Sequence, residues 1–405
     1  MERAGPEVAV LNKVLEYVVA DGYLLLGPVF WTGMLAVMFA ERRRMLRPVR
    51  EAQKLPCPTS HATILVPARN EEKSIARCIA SCLAQEYAAF NVVAVDDRST
   101  DQTGAILDQM ASADARLRVV HVEDRPLPAD WTGKNHALWQ GVQQATGDWL
   151  LFVDSDAMVQ PKALATMIAG AEARSADLVS LVPCLRTPNF WERLIVPVAG
   201  LFAAILDRGL HEPYAYGWFM LVRRRMYDKV GGHAAIRDVL NDDKVLAARI
   251  RKAGGKPRVW WGSDFAALCM DRTPMEIVRG LARNFSVMTP GKPWRALFCL
   301  TVVSLCGFSA FAALAWGLIS MHWGWIAAAD AHLLAMGVVV ACLYRWGGNR
   351  AWIVLALPLA LVMSALIFLF SIWTCLTGNK VQWRATHYQD SAGSATQISD
   401  APRRG

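Results

Sequence analysis

The chain has 405 residues, of which 54% are hydrophobic and 19% charged. Soluble domains average about 45–50% apolar and about 25% charged residues. The composition therefore leans toward a membrane protein and excludes disordered, collagen-like and coiled-coil chains as the dominant state. Lys and Arg total 43 against 35 Asp and Glu, a net charge of +8 that suits anionic lipid, a phosphorylated substrate or nucleic acid. Nine cysteines with no C-x-x-C pair give neither a disulfide framework nor a zinc pattern, and read as small hydrophobes.

Residues 1–59 are expected to form a transmembrane helix at about 17–40 followed by a basic linker. The run from Leu24 to Ala40 is near the lower length for a span and lengthens if counted from Tyr17, with only Asp21 interrupting it. A signal peptide is disfavoured, because no basic stretch precedes the run and Glu41, Arg42, Arg43 and Arg44 follow it. Arg42, Arg43, Arg44, Arg47, Arg50 and Lys54 crowd its C-terminal flank. The positive-inside rule makes that flank cytoplasmic. The same proximity to a span attributes the basic cluster to anionic lipid, and no aromatic-basic platform supports nucleic acid binding.

Residues 60–290 read as an α/β domain. Segments 62–67 (ATILVP), 90–95 (FNVVAV), 117–122 (LRVVHV), 148–153 (DWLLFV) and 178–182 (LVSLV) are predicted strands, with helical patterns such as 72–85 and 101–113 between them. Near-continuous apolar strands alternating with helices predict a mostly parallel sheet covered on both faces. Ligands of such sheets bind outside the carboxyl ends of the strands. Segment 189–206 is apolar but interrupted by Arg193 and Pro197, and is expected to lie against the bilayer as an interfacial helix. Residues 291–380 contain three further expected spans at about 296–319, 326–344 and 352–376, with Trp and Tyr near their ends. Three spans after a cytoplasmic domain would leave Lys380, Arg384, Arg403 and Arg404 outside, against the charge rule, unless one segment is re-entrant. The tail 381–405, rich in Ser, Ala, Gly and Arg from Ser391 on, is expected to be partly disordered.

Three acidic clusters fall at strand ends or a helix start. Asp96 and Asp97 close the second strand, where Ser99 or Thr100 can cap the next helix and Asp101 suits its positive end. Asp154 and Asp156 follow the fourth strand. Extended alternation would put both on one side, where two carboxylates repel unless a cation lies between them. Hard oxygen donors favour Mg2+ or Mn2+, which take one or two carboxylates plus phosphate oxygens. Asp242 and Asp243 open an amphipathic helix, and Asp243 is the candidate general base. Lys134, at the start of another helix, is placed to meet phosphate. Gly231 and Gly232 predict a tight turn that points His233 toward the cleft.

The ordered motifs Val66–Glu71 (VPARNE), Val95–Asp101 (VDDRSTD), Gly133–Asn135 (GKN), Val153–Asp156 (VDSD) and Asn241–Asp243 (NDD) resemble family 2 glycosyltransferases of the GT-A fold, a Rossmann-like, mostly parallel sheet. The apolar flanks, with Trp383 and Arg384 near the end, resemble its membrane-bound branch, with the hopanoid-associated and ceramide glucosyltransferase-like members closest in pattern. The resemblance implies an enzyme that moves one sugar from a nucleotide-sugar, expected to be a UDP-sugar, onto a membrane lipid with inversion. It would be a multi-pass protein of the inner membrane with its catalytic domain in the cytoplasm. Pro67, Ala68, Arg69, Glu71 and Asp97 would hold the nucleoside, with Lys134 also on the donor. Asp154 would join Asp156 in holding the metal and diphosphate, and Asp243, with Asp242 beside it, would act as base. His233 and Arg283 are assigned to the acceptor or diphosphate. Of the Q-x-x-R-W element found in processive members only Arg283 survives, in Gly280–Asn284. That favours a single transfer over polysaccharide synthesis. A catalytically inactive membrane scaffold is a further alternative, disfavoured because all three acidic clusters are present. Sugar, lipid acceptor and oligomeric state stay open.

Overall fold

A computed structural model of the protein describes residues 22–23, 25–123, 126–186, 189–207, 215–269, 272–288, 293–377, 381–383, 386–391 and 394–397. The α/β unit is built on nine strands among the described residues. They are β1 (Ala62–Ala68), β2 (Phe90–Asp97), β3 (Leu117–Val122), β4 (Trp149–Val153), β5 (Ala157–Val159), β6 (Leu178–Leu181), β7 (Phe219–Arg223), β8 (Pro257–Trp260) and β9 (Ala266–Leu268). Seven form one sheet in the order β3-β2-β1-β4-β7-β6-β8, while β5 pairs with β9 separately. Strands β3, β2, β1 and β4 run parallel, β7 runs antiparallel between β4 and β6, and β8 is parallel to β6.

Alternation explains why these segments are apolar throughout. Ile64 and Val66 of β1, with Val92, Ala94, Leu151 and Val153, face one core against the helices Ile75–Leu83 and Ala163–Ala173. Leu65, with Leu150, Phe152, Met220 and Val222, faces the opposite core against the helices Gly133–Gln143 and Asp242–Lys252. Each buried aliphatic side chain stabilises the fold by about 1.5–3 kcal/mol, and a strand collects that gain on both faces only when both are covered. The five sequence-predicted strands are present. The antiparallel β7 and the short β5, β8 and β9 were not foreseen, since three to five residues give too little period to read.

Parallel register brings the carboxyl ends of β1, β2 and β4 to one edge. Ala68 lies beside Asp96, and β4 ends at Val153 beside Phe219, the first residue of β7. Because β7 runs the other way, its leading residues Gly217 and Trp218 arrive at that same edge. Trp218 O accepts from the Asp154 amide at 3.0 Å.

A second core is entirely helical. The helix Phe190–Asp207 buries Leu194, Ile195, Val198, Ala199 and Phe202 against residues of 274–288, 293–303, 323–346 and 357–377. Among the described residues, three helices are long and apolar enough to cross a membrane: Pro293–Ile319, Trp323–Trp346 and Ala351–Thr377. The helix Phe30–Ala52 joins this group through Trp31, whose indole donates to Cys306 O at 2.6 Å. Of the expected N-terminal span at about 17–40, residues 17–21 and 24 lie outside the described residues, and from Leu25 on it is helical, Leu25–Val29 running into Phe30–Ala52. In the tail, Val381–Trp383, Thr386–Ser391 and Ser394–Gln397 pair as an antiparallel sheet.

Candidate active site

At the carboxyl edge the loops after β1 and β2 lock together. Asn70, with φ 54°, accepts from the Thr100 amide at 2.8 Å through Oδ1 and donates its own amide to Ser99 Oγ at 3.1 Å. The Glu71 amide donates to Thr103 Oγ1 at 2.8 Å, and the Glu71 carboxylate accepts from Ser74 Oγ at 2.6 Å. The helix Thr103–Ala113 is capped by Asp101, whose Oδ1 accepts from the Thr103 amide at 3.0 Å. Ser99 and Thr100, the expected caps, bind the β1 loop instead. Pro67 and Ala68 complete the floor at the end of β1. Asp97 is buried and ion-paired with Arg98 at 2.6 Å. Burial pushes its carboxyl above the usual range, against the opposing pull of Arg98, Arg69 and His136. Arg69 and Asp97 are therefore electrostatic neighbours.

The second group centres on Lys134. The helix Gly133–Gln143 starts at Thr132, whose hydroxyl accepts from the Asn135 amide at 3.3 Å. Asn135 Nδ2 then donates to Ile236 O at 2.7 Å and Val239 O at 2.8 Å. These bonds staple the helix start to the loop that leads into Asp242 and Asp243. As a result Lys134 Nζ reaches Asp154 Oδ1 at 3.1 Å and Asp242 Oδ2 at 3.7 Å. Burial alone would lower the Lys134 ammonium, but Asp154, Asp242 and Asp243 outweigh it and raise it. Lys134 thus meets carboxylates from two separate sequence clusters rather than standing open at the helix start.

Asp243 Oδ2 accepts from the Gly217 amide at 2.8 Å and Oδ1 from the Lys244 amide at 2.8 Å. Burial, then the charge of Asp242, raises its carboxyl to about 6, against the lowering effect of Lys134. A Cβ on Gly217 would stand 3.2 Å from Asp243 Cβ and 3.3 Å from its Oδ2, so the residue that positions the acid has no room for a side chain. Gly217 was missed in the sequence. Its signal, a glycine between two aromatics before an apolar strand, is visible only once β7 is known to enter the site.

His233 does not point into an open cleft. Gly231 and Gly232 both hold positive φ, 79° and 50°, and the turn buries His233 completely. Its Nδ1 hydrogen-bonds Tyr227 Oη at 2.8 Å, and its Nε2 lies 3.9 Å from Asp242 Oδ2. Burial, with Lys134 nearby, lowers it to about 3, so it is neutral. It sits beneath Asp242.

The expectation that Asp154 and Asp156 project together from an extended strand fails, because β4 ends at Val153 and the chain turns, with the Ala157 amide donating to Asp154 O at 3.0 Å. Asp154 turns to Lys134, whereas Asp156 Oδ2 meets Arg272 Nη2 at 3.3 Å. Arg272, a lone arginine before the helix Pro274–Met288, carried no sequence signal. Arg283 lies on that helix, but its side chain is outside the described residues. Among the described residues no group of three or more His, Cys, Asp or Glu converges on one point. Two partly exposed carboxylates remain. These are the donors a hard ion takes when phosphate oxygens complete its shell, and a single ammonium facing Asp154, Asp242 and Asp243 leaves the site too negative to receive a diphosphate unaided. Asp154 and Asp156 thus offer oxygen donors of the type a divalent ion takes once it displaces their Lys134 and Arg272 partners.

Residues 63–231 match the family described as glycosyl transferase family 2. Residues 63–231 thus carry a family 2 glycosyltransferase domain. Among the curated relatives, a 4,4'-diaponeurosporenoate glycosyltransferase of Staphylococcus aureus (strain bovine RF122 / ET3-1) is 29% identical over 216 residues, 51% of this chain and 56% of the relative. The protein of the same name from Staphylococcus aureus (strain USA300) is 24% identical over 341 residues, 81% of this chain and 88% of its own. Among solved structures, the mannosyltransferase PcManGT from Pyrobaculum calidifontis in complex with GDP-Man and Mn2+ aligns with TM-score 0.48 and 18% identity, covering 89% of this chain and 98% of its own.

Proposed function

We propose that the enzyme transfers a single sugar from a nucleotide-sugar to a hydroxyl of a membrane lipid, with inversion, at the cytoplasmic face of the inner membrane. The observation that carries this reading is the convergence of Lys134, Asp154, Asp242 and Asp243 at the carboxyl edge of the sheet, with the Asp243 carboxyl raised to about 6. A base with that affinity is ionised at neutral pH yet binds a proton more readily than an ordinary aspartate. Three helices long and apolar enough to span a membrane, and relatives named for glycosylating 4,4'-diaponeurosporenoate, support a lipid acceptor.

In this reading the carboxyl edge of β1 and β2, with Pro67, Ala68, Arg69, Glu71 and Asp97, receives the nucleoside. Asp243 takes the proton of the acceptor hydroxyl as that oxygen attacks the anomeric carbon. The bond from that carbon to the diphosphate oxygen breaks, and the nucleoside diphosphate leaves on the opposite side. The Gly217 amide aims the Asp243 carboxylate, and Lys134 holds Asp154 and Asp242 in place around it. Asp154 and Asp156 would hold a Mg2+ or Mn2+ ion, which when bound offsets charge on the departing diphosphate. The helix Phe190–Asp207 would lie at the membrane surface, packed on the spanning helices.

The test uses the purified full chain with Mn2+, a panel of UDP- and GDP-sugars and lipid extracts, reading nucleoside diphosphate release and glycolipid mass together. A glycolipid one sugar heavier than its acceptor is expected. Release with no lipid product would sink the lipid acceptor, and a ladder of added sugars would sink the single transfer.

A further inference from the structure

A cavity that the proposed reaction does not use lies where the helix Phe30–Ala52, the loop after β8 and the end of the helix Trp323–Trp346 meet. It encloses about 350 Å3 and is lined by Arg42, Arg50, Arg345, Trp261, Trp346 and Asp264, among others. Three guanidiniums face one carboxylate.

Three nearby arginines are neutralised within the protein. Arg44 pairs with Glu41, and both Arg47 and Arg174 pair with Glu51. Arg42, Arg50 and Arg345 have no such carboxylate partner among the described residues. The Arg42 guanidinium lies 4.9 Å from the Trp346 ring centroid and 5.5 Å from that of Trp261, a stacked arrangement that fixes its charge in the cavity wall. Arg42 Nε and Trp261 Nε1 are buried donors with no acceptor among the described residues. Two orphaned donors in one wall are uncommon in a folded protein, and an anion adjacent to them is the chemistry they lack.

The cavity also sits at a change of surface. One turn earlier on the same helix, Phe39 packs edge-on against Trp346 at 4.8 Å while staying 45% exposed, and Ala36, a further turn back on the same face, is exposed too. An apolar strip therefore runs straight into a cationic pocket, as it would beneath a headgroup whose chains continue along the helix.

We infer that this cavity binds the phosphate of an anionic phospholipid headgroup, with the acyl chains along Phe39 and Ala36. The inference rests on the reading that the apolar helices cross a membrane, but not on the sugar-transfer reaction.

The experiment is native mass spectrometry of the detergent-solubilised full chain incubated with phosphatidylglycerol, phosphatidylcholine or inorganic phosphate. Because Arg42 is packed between two indoles, the test variants are Arg50→Gln and Arg345→Gln, both exposed, with Arg43→Gln as the control outside the cavity; unchanged melting temperature certifies each fold. Phosphatidylglycerol adducts are expected on the wild type and on Arg43→Gln, with affinity falling about fivefold for each cavity arginine removed, and phosphatidylcholine is not expected to be retained. Equal phosphatidylglycerol retention in the Arg50→Gln/Arg345→Gln double variant would overturn the site. Displacement of the lipid by millimolar inorganic phosphate would overturn the lipid assignment in favour of the free anion. Nucleoside diphosphate release and carbonate extraction from membranes, read separately, show whether the catalytic or the membrane reading has failed instead.

Discussion

Asp243 is held by two amide donors in the field of the Lys134 ammonium, and its ionisation governs the pH dependence of the reaction proposed here. The reactive form is the carboxylate, so kcat/KM should rise with pH through about 6 and level off above it. Lys134 lowers the Asp243 carboxyl, so Lys134→Gln removes that stabilisation and should move the acid limb to higher pH; a limb that stays put would show that the lysine does not act on the base. Asp243→Asn should cut turnover by about 10²–10⁴, measured as nucleoside diphosphate release, while nucleotide-sugar still binds. Gly217→Ala meets Asp243 at 3.2 Å. It should lower kcat with little change in donor KM, because the contact lies at the base and not at the nucleoside.

Among the elements, the helix Gly133–Gln143 and the loop ahead of Asp242 are joined chiefly by Asn135. Replacing it with Leu takes the Asn135 donor from the Val239 carbonyl and leaves the Ile236 carbonyl with only the Val239 amide, a cost of about 1–3 kcal/mol. Urea unfolding should show that loss, accompanied by reduced turnover as Lys134 and Asp242 drift apart. Sequence reading did well at this scale where a strand buries both faces. Val92 and Val93 of β2 point into opposite cores, so the apolar run is continuous and conspicuous. It did poorly with β7, whose position between β4 and β6 is set by pairing with distant strands, and with Asp156, whose turn away from Asp154 is a matter of local geometry that alternation does not encode. The acids themselves were legible because a charged pair at the end of an apolar strand has no packing rationale. Their cross-pairing through Lys134 was not, since it depends on which loops the sheet order brings together.

At the level of the whole molecule, charge balance around Lys134 and the presence of Asp154 and Asp156 predict dependence on a divalent ion. Chelation by EDTA should abolish release, and Mn2+ or Mg2+ should restore it; full activity in chelator would exclude the assignment. The three apolar helices predict that the chain stays with membranes through carbonate washing. These long runs are easy to see in a sequence because the bilayer demands about 20 apolar residues per span, whereas the way they grip the catalytic unit is not.

That grip has a consequence for acceptor choice. The Trp261 amide bonds Met45 O at 3.1 Å, and the Leu185 amide bonds Gly347 O at 3.1 Å, so the sugar-handling half is bolted to two different helices of the other half. These bonds couple the two halves, so in the proposed reaction the acceptor oxygen is expected to be met at one altitude above the leaflet. The enzyme would then behave as a depth gauge, sorting amphiphiles by how far their hydroxyl stands above the hydrocarbon before the shape of the rest is felt.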